Sequence, residues 1–338
     1  MDIRANIKLC DKTKQKVKVM GNQDGTISLK YQCKVLGKHE LSVCIGNKSI
    51  EGSPAVINVI LNKGLLCKYG MPGSGRGQFS TPEGVCVGKN GVTAVCDKGN
   101  SRVQLFSLND SQHQCVLQFT DFTSQFYPRY VAISKEGYYF IADNRNKQVV
   151  VCDENSKIIR CFGDQELTSP MGIAISPVND RVYVSDHSSY CIRIYTLDGE
   201  YIKSFGTYGS GKCEFNFPLG ITVDNKGNVI VAEHSNHRIQ VCNPDGVFLF
   251  SFGSRGSGNN QFSNPRDVAC DDDCNIYVCD YNNNRVMKYD SHGVFVSRID
   301  SVQDGLTQPA GIYVTDDKPF GKIVVADQGN NCIKVFAQ

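Results

Sequence analysis

FNFPLGITVDNKGNVIVAEHSNHRIQVC, residues 215–242, is the stretch on which the fold turns. A phenylalanine and a proline lead into a short apolar run, ITV, that stops at an acid, Asp224. A turn at Gly227 follows, then a second run, VIVA, closed by Glu233. Asn236 stands three residues after that acid, and Arg238 two further on opens a third run, IQV. Short apolar runs broken by Gly and Asn turns read as strands, since none is long enough for a helix.

The same unit recurs along the chain. Proline opens it at Pro82, Pro128, Pro170, Pro218, Pro265 and Pro309, at intervals of 42 to 48 residues. The second run ends at Asp97, Asp143, Asp186, Glu233, Asp280 and Asp327. Asn100, Asn146, Asn236, Asn283 and Asn330 follow at a fixed distance, with Ser189 as the exception. Arg102, Arg238 and Arg285 come next, replaced elsewhere by Gln148, Cys191 and Cys332. A fourth run closes on Phe-Gly, as in KSFG and FSFG.

Four short strands in each period of roughly 45 residues describe a propeller blade. One blade cannot bury both of its faces, so the blades must close around an axis. The sixth repeat stops after its third run, while a matching fourth run, LLCKYG at residues 65–70, precedes the first. The expectation is an all-β, six-bladed ring over residues 63–338, sealed by pairing of residues 65–69 with 333–336. Such pairing removes two exposed sheet edges.

These motifs resemble the NHL repeat, in phase six times over residues 65–338. Residues 1–62 read as a second β unit with five period-2 strands and a turn at residues 22–25. Their run DGTISLKYQCKVLGKHELSVCIGNKSIEGSP resembles the second half of a filamin-type immunoglobulin repeat. A complete sandwich of that kind has about seven strands in about 100 residues. The opening strands look absent, so the chain reads as a fragment or a truncated gene product. A filamin repeat followed by six NHL repeats resembles the C-terminal half of TRIM-NHL proteins. In that family RING and B-box modules and a coiled coil come first; the RING supplies ubiquitin-ligase activity, and the propeller recruits RNA or a protein substrate. No RING or B-box spacing and no heptad run stands in this sequence. The resemblance therefore implies targeting without ligase activity, and oligomers only through segments outside this chain.

Composition narrows the classes further. Gly 32 and Pro 11 suit a protein of many turns. No apolar run of about 18 residues is present, so no membrane span is expected. The start lacks the apolar stretch of a secretory signal. The 16 cysteines keep no constant phase in the repeat. Cys86, Cys96, Cys152, Cys242 and Cys279 lie inside apolar runs, where Cys acts as a small hydrophobe. Reduced thiols and a cytoplasmic location are the expectation. The net charge of +2 divides into +6 over residues 1–64 and −4 over the rest, so a polyanion would need a local site.

The loops before each proline and after each acid should share one rim of the ring. That rim offers Tyr127, Arg129, Tyr130, Arg145 and Lys147 from the second repeat. The third gives His187 and Tyr190, the fourth Phe217, His234 and His237, and the fifth Arg266 and Tyr281. The first adds Lys98 beside an opposing Glu83. Aromatic faces with Arg suit unpaired bases, and they equally anchor protein interfaces. A protein substrate is the first reading and RNA the alternative.

The repeated Asp, Asn and Arg read as turn chemistry, since one site would not need them six times. His234 and His237 share a loop without a third ligand, so no metal or other cofactor is expected. A propeller hydrolase or lyase would need acids or histidines converging at the channel. The inner strands are apolar apart from Asp267, which makes an enzyme the third reading.

Overall fold

The computed structural model describes residues 64–88, 91–107, 125–315 and 321–338 in full, and elsewhere the backbones of strands. The chain divides into two compact units, Met1–Asn62 and Lys63–Gln338. In the first, Gly37–Ile45 pairs antiparallel with Ile3–Lys8, Lys48–Ser49 and Ala55–Val59. Lys14–Lys16 extends that sheet beside Ile3–Lys8, while Lys18–Gly21 and Ile27–Lys30 form a separate hairpin. The turn expected at residues 22–25 lies outside the described residues.

The second unit is a ring of six four-stranded antiparallel sheets. The innermost strands are Pro82–Val87, Pro128–Ile133, Pro170–Ile175, Pro218–Val223, Pro265–Cys270 and Pro309–Val314. Each packs on the next, and the last returns to the first. Proline fits the opening position because it has no N–H to donate to a ladder. Second strands such as Val229–Glu233 are buried along their whole length because neighbouring blades cover both faces. Fourth strands such as Phe248–Phe252 alternate half-buried with exposed, because only one face meets a neighbour.

Six apolar clusters fill the joints between blades. One joins Cys86, Ala94 and Leu105 of the first blade to Val131, Ile141 and Val150 of the second. The joint between last and first is of the same kind, with Val324 and Val335 against Val95 and Phe106. The sixth blade takes its fourth strand from Leu65–Tyr69, which pairs antiparallel with Cys332–Ala337, Val335 standing opposite Cys67. The Phe of each F-x-x-P motif plugs the joint beneath a Phe-Gly or Tyr-Gly turn. At Gly206 and Gly253, both with φ of 99°, a Cβ would stand 2.5 Å from the Phe215 and Phe262 rings. Only glycine fits there.

All twelve cysteines among the described residues are free, and those named above as strand hydrophobes are buried. No helix of the described residues is long and apolar enough to cross a membrane.

Candidate functional site

Each strand-end acid is fully buried and organises the turn above it. Asp97 accepts from the Ser80 N–H at 2.7 Å, from Asn100 Nδ2 at 2.9 Å and from Arg102 Nε at 2.8 Å. Glu233 and Asp280 repeat the pattern with Asn236 and Arg238, and with Asn283 and Arg285. Burial pushes both of these carboxyls above their usual values even against the facing arginine. In the third and sixth blades, where Cys191 and Cys332 replace the arginine, the cation comes from two residues further along the third strand. Arg193 Nε lies 3.1 Å from Asp186, and Lys334 Nζ lies 2.6 Å from Asp327. Alternate side chains of a strand share a face, so either position reaches the acid.

That scaffold holds the loops of one rim, and a depression of about 320 Å³ opens at its centre. Arg129, Asn144, Ser169, His187, His234 and Arg266 line it, drawn from the second to fifth blades. Glu83, on the innermost strand of the first blade, is the hub. Its fully buried carboxylate lies 3.0 Å from Arg129 Nη1 and 3.7 Å from Lys98 Nζ, and Arg266 Nη2 donates to its other oxygen. Arg266 also donates to Gln328 Oε1 at 3.2 Å and stacks 4.6 Å above the Tyr281 ring. The Tyr281 hydroxyl donates to the same Gln328 oxygen at 2.9 Å. Three cations therefore surround one carboxylate, and the mouth keeps a surplus of positive charge.

Beside the mouth the second blade sets Tyr127 between two guanidiniums, 5.9 Å from Arg129 and 5.7 Å from Arg145. Arg145 and Lys147 are exposed. On the third and fourth blades the His187 ring stacks on Phe217 at 4.5 Å. Tyr190 packs on Phe217 at 5.3 Å and on Tyr208 at 4.9 Å. These four rings make a continuous ridge ending in Tyr208, which is 65% exposed.

Tyr190 and Phe217 of the ridge stand on left-handed backbone, and Tyr190 does so at a position shared by every blade. Ser101, Lys147, Tyr190, His237, Asn284 and Asn331 all have φ between 50° and 56°. The position recurs in every blade, so the strain belongs to the turn. In three blades this residue also latches the next blade. Asn331 Oδ1, His237 Nδ1 and Asn284 Oδ1 accept the backbone N–H of Thr81, Asn264 and Gln308 at 2.7, 3.0 and 2.8 Å. At Tyr190 a ring contact to Phe217 takes that place.

The structure places one expected rim residue elsewhere. Tyr130 is only 5% exposed and lies along the axis, its hydroxyl donating to Ala310 O at 3.0 Å. It stands where most repeats carry glycine, so its side chain has no direction but the channel. Gly84 is its counterpart in the first blade, where an added Cβ would sit 2.5 Å from the Tyr130 Cα. Asp267 occupies the same repeat position in the fifth blade and is also buried. It accepts the N–H groups of Ile312 and Val268 at 2.8 and 2.9 Å, and burial holds its carboxyl well above the usual range. An acid so enclosed braces two blades and meets no ligand at the mouth. Nor is it the only acid of the inner strands, since Glu83 belongs to Pro82–Val87.

The two histidines of the fourth blade do not converge on one point. His237 Nδ1 is taken by the Asn264 N–H, while His234 Nδ1 lies 3.2 Å from the Asn264 amide nitrogen. Burial, with the charge of nearby Arg129 or Arg266 adding to it, lowers His187 and His234 to about 4, so both are neutral near pH 7. Among the described residues no group of three or more His, Cys, Asp or Glu is placed to hold a metal ion.

Sequence reading missed Tyr208 and the part played by Glu83. Tyr208 had a visible signal, standing where the matching loops carry Pro72 and Arg255. Glu83 looked like an opposing surface charge because sequence does not show burial.

Comparison with known proteins agrees with this architecture. The family model described as NHL repeat matches residues 79–106, 215–242 and 262–289. Protein lin-41 of Caenorhabditis elegans is 28% identical over 31% of the chain and 10% of its own length. The E3 ubiquitin-protein ligase TRIM71 of Rattus norvegicus is 33% identical over 28% of the chain and 12% of its own. Protein brain tumor of Drosophila melanogaster is 27% identical over 41% and 14%. The matched part is thus a small fraction of each relative. Among solved structures, a Bacteroides thetaiotaomicron protein of unknown function superposes with a TM-score of 0.62 at 15% identity, covering 99% of this chain and 90% of that one. Virginiamycin B lyase from Staphylococcus aureus gives 0.56 at 12%, covering 99% of both chains. At such identities the likeness is one of fold alone. With six blades closed in a ring and the repeat motif matched in three of them, the chain is an NHL-repeat propeller related over that region to the TRIM-NHL proteins.

Proposed function

We propose that the rim carrying the Glu83 mouth is a non-catalytic binding platform, and that its best-supported ligand is single-stranded or looped RNA. The observation that carries this is the three-to-one excess of cations over carboxylates at the mouth, beside an unbroken ridge of four rings. Phosphates are held by such a charge excess even where the whole unit is slightly acidic. Bases stack on ring faces for about 1–3 kcal/mol each. The test is selection of random RNA on the whole chain, followed by salt titration. One enriched motif is expected, its affinity falling with salt and dropping about tenfold, or about 1.4 kcal/mol, in Arg129→Glu and Phe217→Ala. Tyr130→Phe should bind normally, since Tyr130 is not at the surface. Absence of any enriched motif sinks this reading.

A protein substrate is the second reading, and the exposed Tyr208 favours it, since tyrosine anchors interfaces as readily as it stacks on bases. The TRIM71 relatives are named as E3 ubiquitin-protein ligases, which suits a ring that recruits a substrate for domains outside this chain. Affinity capture with the same variants separates the two. The run of buried thiols supports work in a reducing, cytoplasmic compartment.

A further inference from the structure

The last residue of the third-strand ladder is a large aromatic in four blades: Phe106, Tyr195, Tyr289 and Phe336. In the fifth blade Tyr289 reaches the preceding loop, its hydroxyl donating to Asn259 O at 2.7 Å. The fourth blade carries Cys242 there instead. The loop facing it changes at the same time: GSGRGQF and GSGNNQF have Gly77 and Asn260 where GSGKCEF has Cys213. Two departures from the repeat thus meet, and they meet sulfur to sulfur. Cys213 Sγ lies 3.5 Å from Cys242 Sγ and 3.1 Å from Gly246 O.

We propose that Cys213 and Cys242 form an oxidation site, closing an intramolecular disulfide when the protein meets a peroxide. A disulfide has an S–S length of about 2.05 Å, so the sulfurs must approach by about 1.5 Å. Cys213 sits on a loop with φ of 54° and is half-buried, whereas Cys242 is wholly buried in its strand. Burial pushes the Cys242 thiol far up, so it stays protonated and waits. The Cys213 thiolate attacks one peroxide oxygen, the O–O bond breaks, and a sulfenic acid and hydroxide result. Cys242 then gives up its proton and attacks the Cys213 sulfur, expelling hydroxide. Two thiols are oxidised, one peroxide is reduced, and two waters leave. Glu214–Phe215, next to Cys213, pairs with Thr207–Tyr208, so the bond braces the strand that carries Tyr208 into the ridge. In a reducing compartment such a bond is transient, as befits a sensor.

The experiment exposes the reduced full chain to graded hydrogen peroxide, then alkylates the remaining thiols under denaturing conditions and maps the peptides by mass. The expected result is one linked pair, Cys213 with Cys242, about 2 Da below the summed peptides. It should form before the exposed Cys161 reacts and vanish on treatment with dithiothreitol. Melting should rise by about 5 °C on oxidation, since the bond closes a long loop of the unfolded chain. Cys213→Gly, which suits the left-handed backbone, should lose the link and the shift while keeping the far-UV spectrum. If that variant fails to fold, Cys242→Ala makes the same comparison. Sulfinic acid accumulating on Cys213 without a linked peptide overturns the proposal, as does alkylation of both thiols at peroxide levels that consume Cys161.

Discussion

The Glu83 carboxylate lies 3.0 Å from the Arg129 guanidinium and also accepts from Arg266, so one buried acid on the first blade ties the second and fifth to it. Removing one member of a buried charge cluster leaves the others uncompensated, at about 3–5 kcal/mol. Glu83→Ala should lose stability of that order in urea unfolding. Glu83→Gln should lose less, and it should bind RNA more tightly than the parent because one more positive charge goes unanswered. Opposite signs for stability and affinity in one variant would separate the hub's two effects. Weaker RNA binding by a folded Glu83→Gln would count against the charge argument.

The alternation of cations around the strand-end acids makes a second prediction. Lys334→Gln leaves the buried Asp327 without its partner at 2.6 Å. A loss of about 3 kcal/mol is expected. Adding Cys332→Arg to that variant recreates the arrangement of the first and fourth blades, where Arg102 and Arg238 pair with their acids and Gln104 and Gln240 stand two residues on. The double variant should recover most of the loss. Thermal melts of the three proteins decide it.

His187 and His234 set a pH dependence of known sign. Their folded values of about 4 lie below the unfolded value of about 6.5. Between those limits the unfolded chain takes up protons that the native ring refuses, so stability falls as pH drops from about 6.5 towards 4. Above that window the two groups contribute no pH dependence. The double variant His187→Gln with His234→Gln should lose less over the same range. Melting temperatures at pH 7 and pH 4.5, compared between parent and variant, cancel the contribution of the buried carboxyls.

Closure is tested at the seam. Cys67 stands opposite Val335 and Lys68 opposite Lys334 in an antiparallel ladder. One of two adjacent N–H groups must face the partner strand, so Cys67→Pro with Lys68→Pro deletes a ladder bond. A loss of about 3 kcal/mol or more is expected. Amide exchange should accelerate in Cys332–Ala337 more than in the third strands of other blades.

Periodic features carried most of the architecture into the sequence. The prolines and strand-end acids gave the blade count because each marks a backbone requirement repeated six times. The mouth was only half legible. Arg129, His187, His234 and Arg266 could be placed there because their loops were known to share a rim. That Tyr130 points down the axis, and that Glu83 is a hub, depends on which neighbour approaches across the ring. Such contacts join residues up to 183 positions apart, as with Glu83 and Arg266. No local pattern records a distance of that kind. The cations at Arg193 and Lys334 escaped for a simpler reason: attention to one repeat position hid the equivalent reach of the position two residues on.

The strand that finishes the last blade is synthesised before any other part of the ring. During translation Leu65–Tyr69 therefore waits, unpartnered, while the remaining blades emerge as an open arc. Its mate, Cys332–Ala337, appears only after the strands of all the other blades. A contact spanning so much chain is slow to form. Until that strand emerges, the nascent ring carries two raw strand edges, and in that interval it is most open to edge-to-edge pairing with other chains.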